Sequence, residues 1–222
     1  VMWDSATTRK QWDRVFSSPA QWLVETVKYI LASNDKALVI RIHPAEYVWM
    51  PVRKSIVDIL RCYLGDEIFS DERLIIIPSH QRLSSYSLFE HLAGGLVYNG
   101  TIGLEIMYQK VPLIIGAKAA YSDKGFTYDI ANRDDYFDSF DQTNHILHKQ
   151  NENLELLKLF MYEYFFLHGV PVKFMSKVRS YSPNWEGDPH GIWDDDNVNH
   201  IISTIVGENK YFQRYSGRPV MV

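Results

Sequence analysis

The order of hydrophobic patterns predicts an α/β fold: a parallel sheet covered by helices, followed by a helical C-terminal extension. Two observations carry that reading. Short β-rich runs alternate with amphipathic helical stretches over the first two thirds of the chain, and only short links separate them. With 46% hydrophobic and 23% charged residues over 222 positions, there is apolar material for a sizeable core.

Gln21 to Ala32 repeats Trp22, Val24, Val27, Tyr29, Ile30 and Leu31 at three- and four-residue spacings after the start signal Ser17-Ser18-Pro19, which predicts a helix. Ala37 to Ile42 is β-rich and stops at His43-Pro44, because proline cannot continue a ladder. Arg53 to Leu64 is helical again and ends at Gly65. Leu74 to Ile77 is a near-continuous apolar run closed by Pro78, the pattern of a strand buried on both faces. A short helix over Ser87 to Ala93, a strand over Gly95 to Tyr98, a helix over Ile102 to Gln109 and a strand over Val111 to Ile115 complete the series. The alternation is that of a Rossmann-like layer with helices on both faces. Beyond Gly116 the pattern changes. Asp129 to Gln142 is polar, Asn151 to His168 reads as one long helix, Tyr181 to Asp196 as a loop, and Val198 to Val206 as a last helix. With no clear linker, residues 1–170 are expected to form one domain, and 171–222 a loop and helix packing on it.

Lys and Arg total 23 against 27 Asp and Glu, so the net charge is −4, which argues against nucleic acid and anionic membranes as partners. One cysteine, Cys62, excludes an internal disulfide and any multi-cysteine metal site; on its helix it is expected in the core. No apolar run approaches the roughly 18 residues of a membrane helix. Val1-Met2-Trp3-Asp4 has neither a basic start nor an apolar stretch, so no signal peptide is expected there. Val1 to Trp3 suits the end of a strand, and a longer parent protein is expected.

In an open parallel sheet, ligands bind beyond the carboxyl ends of the strands. The first strand delivers Arg41, His43, Pro44 and Glu46 there, the second Ser79 and His80, the third Asn99, Gly100 and Thr101, and the fourth Gly116. Thr101 suits an N-cap, with Gly100 and Gly103 allowing close approach of a phosphate to the following amides, and Glu105 in the first turn within reach of a sugar diol. The same spacing also describes a capped helix whose Glu105 favours the dipole. His43-Pro44 can present an imidazole to a phosphate, or simply satisfy a loop carbonyl. The loop from Gly116 to Thr127 carries Lys118, Tyr121, Lys124 and Gly125. It suits a lid, or a surface loop anchored by Tyr121 and Phe126. His145 and His148 lack an obvious third ligand, and Asp194-Asp195-Asp196 suits a helix start, so no metal is expected. Trp185 and Trp193 can stack on sugars or pack in a core.

Together these segments resemble the bacterial capsule polysaccharide biosynthesis proteins, a glycosyltransferase-like family of the GT-B type. The matching stretches are Phe16-Ser17-Ser18 with Gln21-Trp22-Leu23, then Arg41-Ile42-His43-Pro44-Ala45-Glu46, Ser85-Tyr86-Ser87-Leu88, Tyr98 to Glu105, and Tyr121 to Thr127. The resemblance implies the C-terminal, nucleotide-sugar-binding half of a two-domain transferase in capsular or surface polysaccharide synthesis. Related family members use CMP-Kdo. It implies that His43 meets the donor phosphate, that Gly100 to Gly103 cradle it, that Glu105 holds the ribose, and that Tyr86 lies in the same site. Position 100 is glycine where many relatives carry a hydroxyl residue, so it offers no hydroxyl contact. The donor is substrate, so no cofactor is implied. The implied partners are a saccharide or glycolipid acceptor and a preceding acceptor domain holding the catalytic base, in the cytoplasm at the inner membrane. The alternatives are a nucleotide-sugar epimerase, a glycerophosphotransferase-like enzyme, or a non-catalytic carbohydrate- or nucleotide-binding module.

Overall fold

A computed structural model describes residues 15–44, 46–47, 55–167 and 189–207. The strand end expected at Val1 to Trp3, Ala45 of the His43-Pro44 segment, most of the loop from Tyr181 to Asp196, and Trp185 lie outside the described residues. The chain divides into two compact units, 1–157 and 158–222.

In the first unit, helix α1 (Pro19–Ala32) begins where the sequence places its start signal: Ser18 is the N-cap and its hydroxyl accepts the Gln21 N–H at 3.1 Å. Trp22, Leu23, Val24, Val27 and Ile30 form its buried face. Strand β1 (Leu38–Arg41) leads to α2 (Ile56–Leu64), whose Ser55 and Asp58 make a reciprocal capping box. Gly65 ends α2 at φ +83°, a conformation that favours glycine. Strand β2 (Leu74–Ile77) pairs parallel to β1 with Leu38 opposite Leu74 and Arg41 opposite Ile77. Strand β3 (Gly95–Val97), α3 (Ile102–Tyr108) and β4 (Leu113–Ile115) repeat the unit, with Gly95 opposite Leu113 and Val97 opposite Ile115. The fold is therefore α/β with parallel strand pairs. Among the described residues the strands form two two-stranded sheets, β1–β2 and β3–β4, rather than one continuous ladder.

One core joins the two pairs. Ile40 of the first pair with Ile42 just beyond it, Ile114 of the second with Tyr98 just beyond β3, and the faces of α1 and α2 lie in a single buried cluster. Helix α4 (Arg133–Asp138) adds Tyr136, fully buried and in edge contact with Phe16 at 5.0 Å. Polar atoms of Trp22, Thr26 and Tyr136 in this core form a closed ring of hydrogen bonds. The Trp22 indole can only donate, and it donates to the Tyr136 hydroxyl at 2.7 Å. Thr26 donates to the Trp22 carbonyl at 2.7 Å, so the 2.9 Å contact between Tyr136 and Thr26 has the phenol as donor. Burial pushes the Tyr136 phenol well above its ordinary pKa, so it stays protonated and the ring stays closed.

Three expectations are corrected by the packing. Ile75 is half exposed, so its face of β2 is not covered as a strand buried on both faces would be; β4, with all three residues buried, is the strand covered on both faces. Cys62 is exposed, because the inward stripe of α2 runs through Ile56 and Leu60 and leaves position 62 on the outer side. The long helix expected over Asn151 to His168 is interrupted at Asn153: α5 (Thr143–Glu152) ends there, and α6 (Leu154–Tyr162) passes into a π-helical turn, Glu163–Leu167. The Asn153 amide turns back onto the Lys149 carbonyl at 3.0 Å, a side-chain bond that competes with helix continuation. In the second unit, α7 (Asp196–Ile205) is capped by Asp195, whose carboxylate accepts the Asn197 and Val198 N–H groups. That gives the aspartate run a helix-start role.

Candidate functional site

The carboxyl ends of the four strands carry the predicted residues, and their contacts sort them into two groups. The first group is committed to the protein. The Arg41 guanidinium bonds the carbonyls of Ile42 at 2.8 Å, Pro78 at 2.9 Å, Gln81 at 3.1 Å and Leu83 at 3.4 Å, fastening the segment after β2 to the end of β1. Those bonds hold the Arg41 side chain. Glu46 is buried, and its Oε1 accepts the Ile56 N–H at 3.2 Å, in the first turn of α2. Tyr121 is fully buried, and its hydroxyl donates to the Gly100 carbonyl at 2.7 Å. Gly103 makes room for that hydroxyl, which a Cβ there would strike, and Gly116 likewise makes room for the Trp22 indole. Both glycines are thus required by packing. Asn99 is buried beside them.

Glu46 is an uncomfortable group. Its second oxygen, Oε2, is buried without a hydrogen-bond partner, and burial raises its carboxyl pKa against the opposing pull of the Ile56 bond. A carboxyl whose folded pKa lies above its unfolded value weakens the fold at neutral pH, and the penalty fades as pH falls through the folded pKa. Glu46→Gln keeps the acceptor for Ile56 and removes the charge. Urea unfolding should show it more stable than the parent at pH 7, by on the order of 1 kcal/mol, with the difference shrinking in acid. A less stable Glu46→Gln protein at pH 7 would contradict this.

The second group faces solvent. His43 and Pro44 are exposed past the end of β1, and Ser79 is half-buried past the end of β2, next to exposed His80. Partial desolvation, with the Arg41 charge adding to it, holds the His43 imidazole below its ordinary pKa. It is therefore mainly neutral near pH 7, and an anion that paired with it would draw a proton on. Gly100 and Thr101 are exposed at the β3–α3 turn. A Cβ at Gly100 would meet only Ile102 at 3.8 Å, so packing inside the chain does not demand glycine there.

Thr101 occupies the N-cap position but makes no capping bond, because it is already in the helical region at φ −63°. The Gly103 N–H donates to Gly100 at 3.1 Å and the Leu104 N–H to Thr101 at 3.0 Å. The expected cradle of free amides is thus reduced to the start of the turn. Glu105 compensates. Its carboxylate faces the Tyr86 phenol, whose pKa it raises through a hydrogen bond and its charge. The Glu105 Oε2 atom is buried with no hydrogen-bond partner. Tyr86 is exposed on the 3-10 segment Ser85–His91, so the pair joins the segment before β3 to the first turn of α3. Spacing shows neither this pairing nor the Arg41 carbonyl clamp, since both depend on long-range contact.

The loop after β4 is built as an anchored turn. Phe126 and Thr127 are buried, and the Thr127 hydroxyl bonds Asp129, which also accepts the Asp123 N–H at 3.1 Å. Asp123 (φ +61°) and Gly125 (φ +90°) both lie in the left-handed region, which fixes Lys124 on an exposed corner between them. Elsewhere, His148 pairs with Glu152 at 3.4 Å, and His145 packs against Tyr128. Among the described residues no three His, Cys, Asp or Glu side chains converge as a metal site. No helix among them is long and apolar enough to cross a membrane. Compared with protein-family models, curated proteins and solved structures, the chain gives no significant match.

Proposed function

We propose that the chain is the Rossmann-like, donor-binding half of a GT-B glycosyltransferase, holding a nucleotide sugar for surface polysaccharide synthesis. The observation that carries the reading is Glu105. A buried carboxylate oxygen left without a donor costs roughly 1–3 kcal/mol, and such orphans persist where a ligand completes them. A ribose diol supplies the missing donors. Gly100, which the chain's own packing does not require to be glycine, lets a phosphate approach the start of the same turn.

In this reading the chemistry is displacement of the nucleotide by an acceptor hydroxyl. His43 takes up a proton as the leaving phosphate gathers charge beside it, which stabilises that charge without a fixed cation. The attacking hydroxyl needs a base, and that base belongs to an acceptor domain outside this sequence. The place of work is the cytoplasm, at the inner membrane where the glycolipid acceptor lies.

Calorimetric titration with CMP, CDP and UDP tests the proposal. At least one nucleotide should bind, and Glu105→Ala should weaken it about tenfold or more, equivalent to ~1.4 kcal/mol. Glu105→Ala should leave the unfolding midpoint unchanged or raised, since it removes an unsatisfied group. A variant that loses stability instead would give Glu105 a purely structural role.

A further inference from the structure

We infer that the loop after β4 holds a further site, built from other residues, for a single oxyanion, a carboxylate or a phosphoryl group, between Lys118, Ser122 and Lys124. Three observations converge on it. A concavity of about 230 Å³ opens among these residues, lined also by Ala119, Ala120 and Asp123. That is below the roughly 300 Å³ at which pockets begin to enclose a drug-sized ligand, so it suits one functional group. Two of its lining residues are lysines and one is Asp123, while the nearby Asp129 carboxylate is already engaged by the Asp123 N–H and the Thr127 hydroxyl. Lys118 lies 3.6 Å from Asp123, but both are half exposed, and an exposed pair of this kind is worth at most about 1 kcal/mol. An incoming anion therefore competes for Lys118 at little cost.

Ser122 supplies the directional element. It is 5% exposed, and its hydroxyl oxygen accepts the Ala119 N–H at 3.0 Å, while its own proton bonds none of the described residues. The acceptor side of the hydroxyl is used and the donor side is left for a ligand. The mounting is rigid before anything binds: Asp129 ties the Asp123 amide and the Thr127 hydroxyl, and two left-handed residues flank Lys124. Little ordering remains to be paid for on binding. None of this requires the nucleotide reading, because neither Glu105 nor His43 takes part.

The test is an amide chemical-shift titration of the whole chain with inorganic phosphate and, separately, with acetate, at constant ionic strength against sodium chloride. Saturable shifts confined to about residues 118–124 with phosphate, acetate or both support the site, and the arm that saturates says which group it takes. Lys124→Gln should weaken binding about tenfold and Ser122→Ala several-fold, with the remaining amide spectrum unchanged as proof of folding. Shifts that never saturate, that chloride reproduces, or that survive Lys124→Gln would overturn it. A failure here leaves nucleotide binding at Glu105 unaffected.

Discussion

Trp22→Ala should remove ~3–5 kcal/mol of stability, the largest loss of any single truncation considered. The indole is 3% exposed, packs on Tyr98 at 5.6 Å between ring centres, and fills the space that Gly116 leaves open. Its removal creates a cavity where helix, strand end and loop meet. It also opens the hydrogen-bond ring, because the Tyr136 hydroxyl loses its donor while fully buried. Urea unfolding followed by far-ultraviolet circular dichroism measures the loss. A change below about 1 kcal/mol would mean that the indole is not the centre of this core.

The second large effect is expected at Arg41. Arg41→Met keeps the aliphatic stem and deletes the donors that reach the Ile42, Pro78, Gln81 and Leu83 carbonyls. Bonds from a charged donor are worth ~1.5–3 kcal/mol each when well formed, but these are partly exposed and shared. A total loss of roughly 2–3 kcal/mol is therefore expected. Amide exchange should quicken selectively over residues 78–84, the segment the guanidinium holds against β1. Unchanged stability and exchange would free Arg41 from its structural role and return it to the list of groups available to a ligand.

These two residues show how far the sequence could be read and where it stopped. Period and punctuation are local, and they located the four strands, the start of α1 at Ser18-Pro19 and the end of α2 at Gly65, but not the division of the strands into two pairs. They also put Arg41, His43, Gly100, Thr101 and Glu105 at strand ends, because strand ends follow directly from where an apolar run stops. They could not say which of these side chains the protein itself consumes. Arg41 and Glu46 look like ligand groups by position, yet one is spent on carbonyls 37 to 42 residues away and the other on the amide of Ile56. Gly103 reads as a phosphate glycine and Gly116 as a strand-end residue, but their small size answers to Tyr121 and Trp22. Thr101 fails as a cap because its backbone is already helical, which composition does not encode. Ser122 carried no spacing signal at all; its value comes from burial combined with a half-used hydroxyl.

What survives this sorting is exposed His43 beyond β1 and, beyond β3, exposed Gly100 and Thr101 with the half-buried Glu105 facing Tyr86. The direct test of its role is an amide chemical-shift titration with CMP, CDP and UDP. Saturable shifts centred on residues 99–105 and on Tyr86 are expected for at least one nucleotide, and they should be lost in Glu105→Ala. Saturable binding that leaves those residues unshifted, or no binding by any of the three, would contradict it.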